Sequence, residues 1–221
     1  ILVPFKNEEE NLSRLIDSFQ IIDFHFPYEI IFIDDHSTDK SLSFLGDFQT
    51  ISCDSEGKKF AIRKGVAAAK YPWILTLDAD VIISKELIAL IQACNVSRAK
   101  MILFSLSPTR RKGLIPAFFD LEFLALQGIG IGLAEKGKPI LSNGACLLFE
   151  KEAFGMADLT RTDYHIPSGD DIFGMYAIAE QYGSHTIKVA STYPAVKVDF
   201  PTSLSNLFSQ RVRWIAKTVD V

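Results

Sequence analysis

Short β-branched runs alternate with helical patterns along the whole chain, and this alternation limits the fold more than any other feature. It is the signature of a sheet with helices on both faces. Candidate strands span Ile1–Phe5, Glu29–Asp34, Phe48–Cys53, Trp73–Leu77, Met101–Ser105, Ala145–Phe149 and His185–Ala190. Helical patterns fall between them near Glu8–Phe19, Lys40–Leu45, Lys58–Ala69 and Ser84–Cys94. The spacing suits right-handed crossovers and predicts an α/β fold with a mostly parallel central sheet. In such sheets ligands bind beyond the carboxyl ends of the strands, so the residues after each strand carry the functional signal.

At 221 residues and 48% apolar content, the chain suits one domain over 1–221, with no repeat or linker. A net charge of −4 argues against broad nucleic-acid binding, which needs a basic surface. Cys53, Cys94 and Cys146 are odd in number and lack CxxC spacing, which suggests a reducing compartment. The four histidines show no zinc-ligand spacing, so a metal would sit on carboxylates. The start, Ile1-Leu2-Val3-Pro4, has neither an initiator Met nor a signal-peptide layout, and a trimmed N-terminus is expected.

One stretch is less regular. Arg110-Arg111-Lys112 precedes an apolar, Gly-containing helical pattern from Leu114 to about Gly132. Asp120, Glu122 and Gln127 interrupt it and argue against a spanning helix. The plain reading is a buried helix after a solvated basic turn, and the sharper one is an interfacial segment against anionic lipid.

Acid clusters then mark the strand ends. Asp34-Asp35 closes the second strand and leads into His36-Ser37-Thr38-Asp39. Capping accounts for the hydroxyls, but not for two adjacent acids, one of which can accept from a base N–H. Asp78-Ala79-Asp80 ends the fourth strand inside an apolar run, where two carboxylates need compensation. A divalent ion, Mg²⁺ or Mn²⁺, is the natural one, since hard oxygen ligands suit it and it neutralises a nucleotide leaving group. Between them, Gly57 and a basic helix start offer Lys58 and Arg63 to phosphates or base, or else to solvent, while Ala67 and Ala68 allow close packing on the sheet.

Asp170-Asp171 opens a helix through Ile172, Met175 and Ile178, where acids suit the dipole or one acts as a general base. The last motif, Gln210-Arg211-Val212-Arg213-Trp214, lies in a helix begun near Pro201. Its periodicity puts Leu204, Leu207, Phe208, Arg211 and Val212 on a packing face. Gln210, Arg213 and Trp214 fall on a binding face suited to phosphate and sugar.

In order, Pro4 with Asn7-Glu8-Glu9, Asp34-Asp35, Asp78-Ala79-Asp80, Gly169-Asp170-Asp171 and Gln210-Arg211-Val212-Arg213-Trp214 resemble the inverting family 2 glycosyltransferases of GT-A fold. The QxxRW-bearing members, such as cellulose, chitin and hyaluronan synthases and ceramide glucosyltransferases, are the most similar. The resemblance implies transfer of a sugar from a nucleotide-diphosphate donor, with UDP favoured, to a saccharide or lipid acceptor, aided by Mg²⁺ or Mn²⁺. It implies Asp171 as base, and Pro4, Glu8, Asp35, Lys58, Arg63 and Asp78 around the nucleotide. Asp80 would hold the metal. Gln210, Arg213, Trp214, Asn143 and Asp170 would serve the diphosphate and acceptor, although Asp170 departs from the commoner Glu. It also implies a membrane-associated parent chain at a cytoplasmic membrane face, no nucleic-acid partner, and poor transfer by the isolated domain. A nucleotidyltransferase would favour a Gly-rich phosphate loop near the first strand, where Pro4-Phe5-Lys6-Asn7 stands instead. A non-catalytic nucleotide-binding scaffold is the other alternative.

Overall fold

A computed structural model describes every residue except 23, 95, 110–112, 160, 162–168, 200–207, 209–210 and 213–221. The strands are β1 (Leu2–Phe5), β2 (Ile31–Asp34), β3 (Gln49–Ser52), β4 (Trp73–Leu77), β5 (Ile82–Ile83), β6 (Met101–Pro108), β7 (Cys146–Glu150) and β8 (Ile187–Val198). The helices are α1 (Leu12–Ile21), α2 (Lys58–Ala68), α3 (Leu87–Ala93), α4 (Leu114–Glu135), α5 (Lys151–Asp158) and α6 (Asp170–Tyr182).

Among the described residues, eight strands form one sheet in the order β3-β2-β1-β4-β7-β6-β8-β5. The half built from β3, β2, β1 and β4 is parallel. β7 then runs antiparallel to both β4 and β6, and β5 antiparallel to β8, while β6 and β8 pair in parallel. The sheet is therefore mixed beyond β4.

Side chains alternate across the sheet with period two. Val3, Phe32, Leu75, Ile102 and Leu148 enter one core with α1 and α3, through Leu12, Leu15, Leu87 and Leu90. Their neighbours Leu2, Ile31, Ile74, Met101 and Leu147 enter the other with α2, α5 and α6, through Ile62, Phe154 and Ile178. Three layers result, and the near-continuous apolar runs of the strands are explained by burial on both faces.

Several local expectations change. The pattern at Lys40–Leu45 becomes a 3₁₀ turn over Ser41–Phe44. α1 begins at Leu12, not Glu8, because the Glu8 and Glu9 N–H groups donate to Ser41 Oγ (2.7 Å) and Asp39 Oδ2 (3.1 Å) of the neighbouring loop. Ala67 and Ala68 are exposed; the close approach to the sheet is made at Gly65, where a Cβ would come within 2.9 Å of Leu2 and 3.0 Å of Ile33. β8 runs past Ala190 to Val198, and α5 has no counterpart among the expected helices.

α4 departs furthest. The helix forms, but the buried-helix reading fails: Leu114, Phe118, Leu121, Leu124 and Ile129 face outward. The polar residues that interrupt its sequence turn inward instead. Gln127 clasps the backbone of Leu106, donating to its carbonyl at 2.9 Å and accepting from its N–H at 3.3 Å. Among the described residues, Pro116–Glu135 is long and apolar enough to cross a membrane by length and composition alone, contrary to the expectation from its acids.

Candidate active site

Because β1, β2 and β4 are parallel, their carboxyl ends lie along one edge and bring the acid clusters together. The loops after β1 and β2 are stitched to each other. Asn7 Oδ1 accepts from the Thr38 N–H at 2.8 Å, and the Asn7 N–H donates to Ser37 Oγ at 3.0 Å. Asn7 and His36 hold φ of 55° and 63°, a conformation that side-chain-bearing residues adopt rarely. Ser37 and Thr38 thus brace the neighbouring loop, while Asp39 does so and also accepts from the Ser41 N–H at 2.9 Å at the start of the 3₁₀ turn.

Asp35 is buried, and both its oxygens accept from the Gly57 N–H, at 2.9 and 3.0 Å. Gly57 has φ of 126°, which requires glycine, and that turn aims the start of α2 at the strand ends. Lys58 follows. Its ammonium donates to Asp78 Oδ1 at 2.5 Å, approaches the Gly144 carbonyl at 3.4 Å, and lies 3.8 Å from Asp170. Burial works against that charge, but Asp170 and Asp78 outweigh it and raise the Lys58 pKa.

Antiparallel β7 completes the floor. Its lead-in, Asn143-Gly144-Ala145, lies beside the end of β4, where the Asp78 N–H donates to the Ala145 carbonyl at 3.2 Å. Asn143 Oδ1 accepts from the Ala145 N–H at 3.1 Å, and the Gly144 N–H donates to Asp171 Oδ2 at 2.9 Å. A Cβ on Gly144 would sit 3.2 Å from Lys58 Nζ, which would have to give by a few tenths of an ångström, and in ordinary contact at 3.4 Å with the Asp171 Cβ.

These groups line a cavity of about 570 Å³, within the usual span for a small-molecule site. Lys58, Asp78, Asp80, Asn143, Asp170 and Asp171 are all on its wall. Burial raises the pKa of Asp78, with Asp80 adding to it and Lys58 opposing. Asp80 is exposed, yet partial desolvation by the cleft around its carboxylate, with Glu8 nearby, raises its pKa too. The Lys58 ammonium is engaged by Asp78 and lies near Asp170, so the neighbouring Asp80 carboxylate fits a further cation. Among the described residues no group of three His, Cys, Asp or Glu is preassembled for a metal, so the remaining ligands would come from phosphate oxygens and water.

Among the described residues, the other expected site residues are not on the cavity wall. Pro4 is buried within β1, and Glu8 accepts from Asn11 Nδ2 at 2.7 Å; burial raises its pKa. Arg63 pairs with Asp158 at 2.8 Å, tying α2 to α5 away from the cavity wall. Gln210, Arg213 and Trp214 fall outside the described residues. Arg211, expected to pack, instead lines the cavity and grips Glu122 through Nε (2.9 Å) and a second guanidinium nitrogen (2.5 Å). Phe208 and Val212, from the same packing stripe, are exposed.

Residues outside the sequence motifs also shape the site. Asp199 receives a hydrogen bond from Arg14 at 2.9 Å, and Arg14 also donates to the Asp80 carbonyl at 3.0 Å, so α1 fixes the loop after β4. Nothing in the α1 pattern marks Arg14. Glu122 and Gln127 did carry a signal, since polar groups inside an apolar run must find partners.

Residues 1–105 match the family model described as glycosyl transferase family 2. No curated protein sequence matches the chain. Among solved structures, Staphylococcus aureus TarS 1-349 is 17% identical with a TM-score of 0.63, covering 90% of this chain and 59% of that one. Glucosyl-3-phosphoglycerate synthase of Mycobacterium tuberculosis, in complex with Mn²⁺, UDP and glucosyl-3-phosphoglycerate, is 17% identical with a TM-score of 0.64 over 99% of this chain and 77% of that one. The mannosyltransferase PcManGT of Pyrobaculum calidifontis, in complex with GDP-Man and Mn²⁺, is also 17% identical with a TM-score of 0.64, covering 100% and 63%. This chain spans just under three fifths of the length of the TarS 1-349 structure. Residues 1–105 thus carry the match to a family 2 glycosyltransferase domain, and the chain folds as GT-A glycosyltransferases do.

Proposed function

We propose that this protein transfers a sugar from a nucleotide-diphosphate donor to an acceptor hydroxyl by a single, inverting displacement. The observation that carries the reading is the convergence of Asp78, Asp80, Lys58, Asp170 and Asp171 on one cavity at the carboxyl ends of parallel strands. Asp35 lies at the adjacent strand end, where a carboxylate can read a base N–H. Asp80, with Asp78, would hold a divalent ion, Mn²⁺ or Mg²⁺, and when bound that ion supplies neutralisation of the departing diphosphate. Mn²⁺ accompanies UDP in one structural neighbour and GDP-Man in another, which supports the metal and leaves UDP and GDP as the donors to test.

Asp171 serves as the general base. The Gly144 N–H fixes one of its oxygens, so the carboxylate is oriented before substrate arrives. It takes the proton of the acceptor hydroxyl as that oxygen bonds to the anomeric carbon, and the bond from that carbon to the diphosphate oxygen breaks. Lys58 and, from the sequence motif, Arg213 meet the leaving phosphates. Gln210 and Trp214 complete the acceptor side, and the acceptor is a saccharide or lipid of a membrane-associated system at a cytoplasmic face.

Replacing Asp171 by Asn tests the assignment. Transfer should fall by about 10²-fold or more, while calorimetric binding of the nucleotide stays near wild type. Transfer that survives would sink Asp171 as the base, and absence of UDP and GDP binding with either metal would favour a non-catalytic scaffold.

A further inference from the structure

We propose that the outer face of α4 seats this protein on an anionic lipid surface, with the helix lying in the interface rather than crossing it. This deepens the membrane-associated reading above by naming the contact, and does not depend on the chemistry of transfer.

Among the described residues, no element packs on this apolar face. Leu114, Phe118, Leu121, Ala125 and Ile129 follow helical spacing along one side, and the first three are 92%, 65% and 67% exposed. Only 22% of the most apolar stretch of the helix is buried, so this is not a core helix despite its composition. Large apolar side chains exposed side by side along one helix face mark a surface that another apolar phase covers.

Two observations select a lipid interface over a spanning segment or a protein groove. First, the opposite side of α4 is committed to the protein: Phe119 and Phe123 are buried, Gln127 clasps Leu106, and Glu122 binds Arg211. A helix so anchored has one side for lipid and cannot be surrounded by it. Second, charge is placed at the ends and absent from the stripe. Arg110, Arg111 and Lys112 precede the helix in sequence, and Lys136 and Lys138 follow it, in a chain whose net charge is −4. Basic residues flanking an apolar face suit phosphate headgroups, with long side chains reaching to them. Glu122, Phe123 and Gln127 also line the cavity, so an acceptor held in the bilayer surface would lie roughly one helix diameter, about 10 Å, from the site.

Flotation of the 221-residue chain with vesicles tests this. Vesicles of three parts phosphatidylcholine to one part phosphatidylglycerol should carry the protein at low salt, and phosphatidylcholine alone should carry much less. The double variant Phe118→Glu/Leu121→Glu should lose about tenfold or more of the partitioning, with its circular dichroism and nucleotide binding intact. Replacing Arg110, Arg111 and Lys112 by Gln should remove the preference for anionic vesicles and leave the fold unchanged. Wild-type protein that stays off anionic vesicles overturns the proposal, as do variants that float like wild type. A concentration-dependent dimer abolished by the double variant would also overturn it, assigning the face to a second copy. Loss of nucleotide binding in wild-type protein would strike the glycosyltransferase reading and leave this one standing.

Discussion

Lys58 and the carboxylates around it show how a single side chain can organise a site. Asp78 and Asp170 approach each other closely enough only because an ammonium lies between them, 2.5 Å from one and 3.8 Å from the other. Asp80, three residues past the end of β4, is left to accept a cation from solvent. Its pKa is raised in the folded protein, as are those of Asp78 and Glu8. The folded form therefore holds these protons more tightly than the unfolded chain, so protonation favours folding. That contribution is present at acid pH and is lost as pH rises from the ordinary carboxylate range through the raised folded values. Asp80→Asn should thus melt higher than wild type at pH 7, by roughly 1–3 °C after allowance for its solvent edge. The gap should close near pH 4 in melts followed by circular dichroism. A wild-type protein equally stable at both pH values relative to the variant would contradict the assignment. The buried thiols belong to the same scale: burial raises Cys53 to about 11 and Cys146 further still, so all three free cysteines serve as packing rather than as reactive groups.

Helices here differ in what sets their boundaries. α2 was legible almost to the residue, from Lys58 to Ala69 expected and Lys58 to Ala68 observed, because a glycine of positive φ starts it and its apolar face is local information. The ends of α1 and the segment after β2 were not, because Asp39 and Ser41 satisfy N–H groups some thirty residues away in sequence. Gly65 makes a sharper case. In isolation a helical glycine costs stability relative to alanine, so Gly65→Ala would be expected to help. Against the sheet, the added methyl meets Leu2 and Ile33 at 2.9 and 3.0 Å. We expect the variant to lose about 1–3 kcal/mol in urea unfolding, the usual cost of overpacking; a stabilised variant would mean that α2 can lift from the strands. α4 illustrates the opposite limit, since its periodicity was visible while the direction of its apolar face was not.

At the scale of the whole molecule, the cavity is assembled from pieces far apart in sequence: the ends of β4 and β8, the start of α2, the lead-in to β7, the first turn of α6 and the inner side of α4. A ligand spanning them should stabilise the fold as a unit. UDP or GDP with Mn²⁺ at about 100 times its dissociation constant should add about 2.7 kcal/mol, seen as a rise of roughly 5–11 °C in melting temperature. EDTA should erase the rise if Asp80 and Asp78 engage the metal, and an unchanged rise would show nucleotide binding independent of it.

The sequence by itself determined the α/β class, the strands that carry the acids and the identity of those acids, because period-two burial and charged residues inside apolar runs are local signals. Only tertiary structure decided that β7 inserts antiparallel between β4 and β6 and so delivers Gly144 to Asp171 and Lys58. It also decided that Arg14 braces Asp80 and Asp199, that Arg63 turns to Asp158, and that the apolar side of α4 faces out. Each of these depends on which element lies next to which, and pairing across a sheet is set by the sum of distant contacts rather than by any residue's neighbours in the chain.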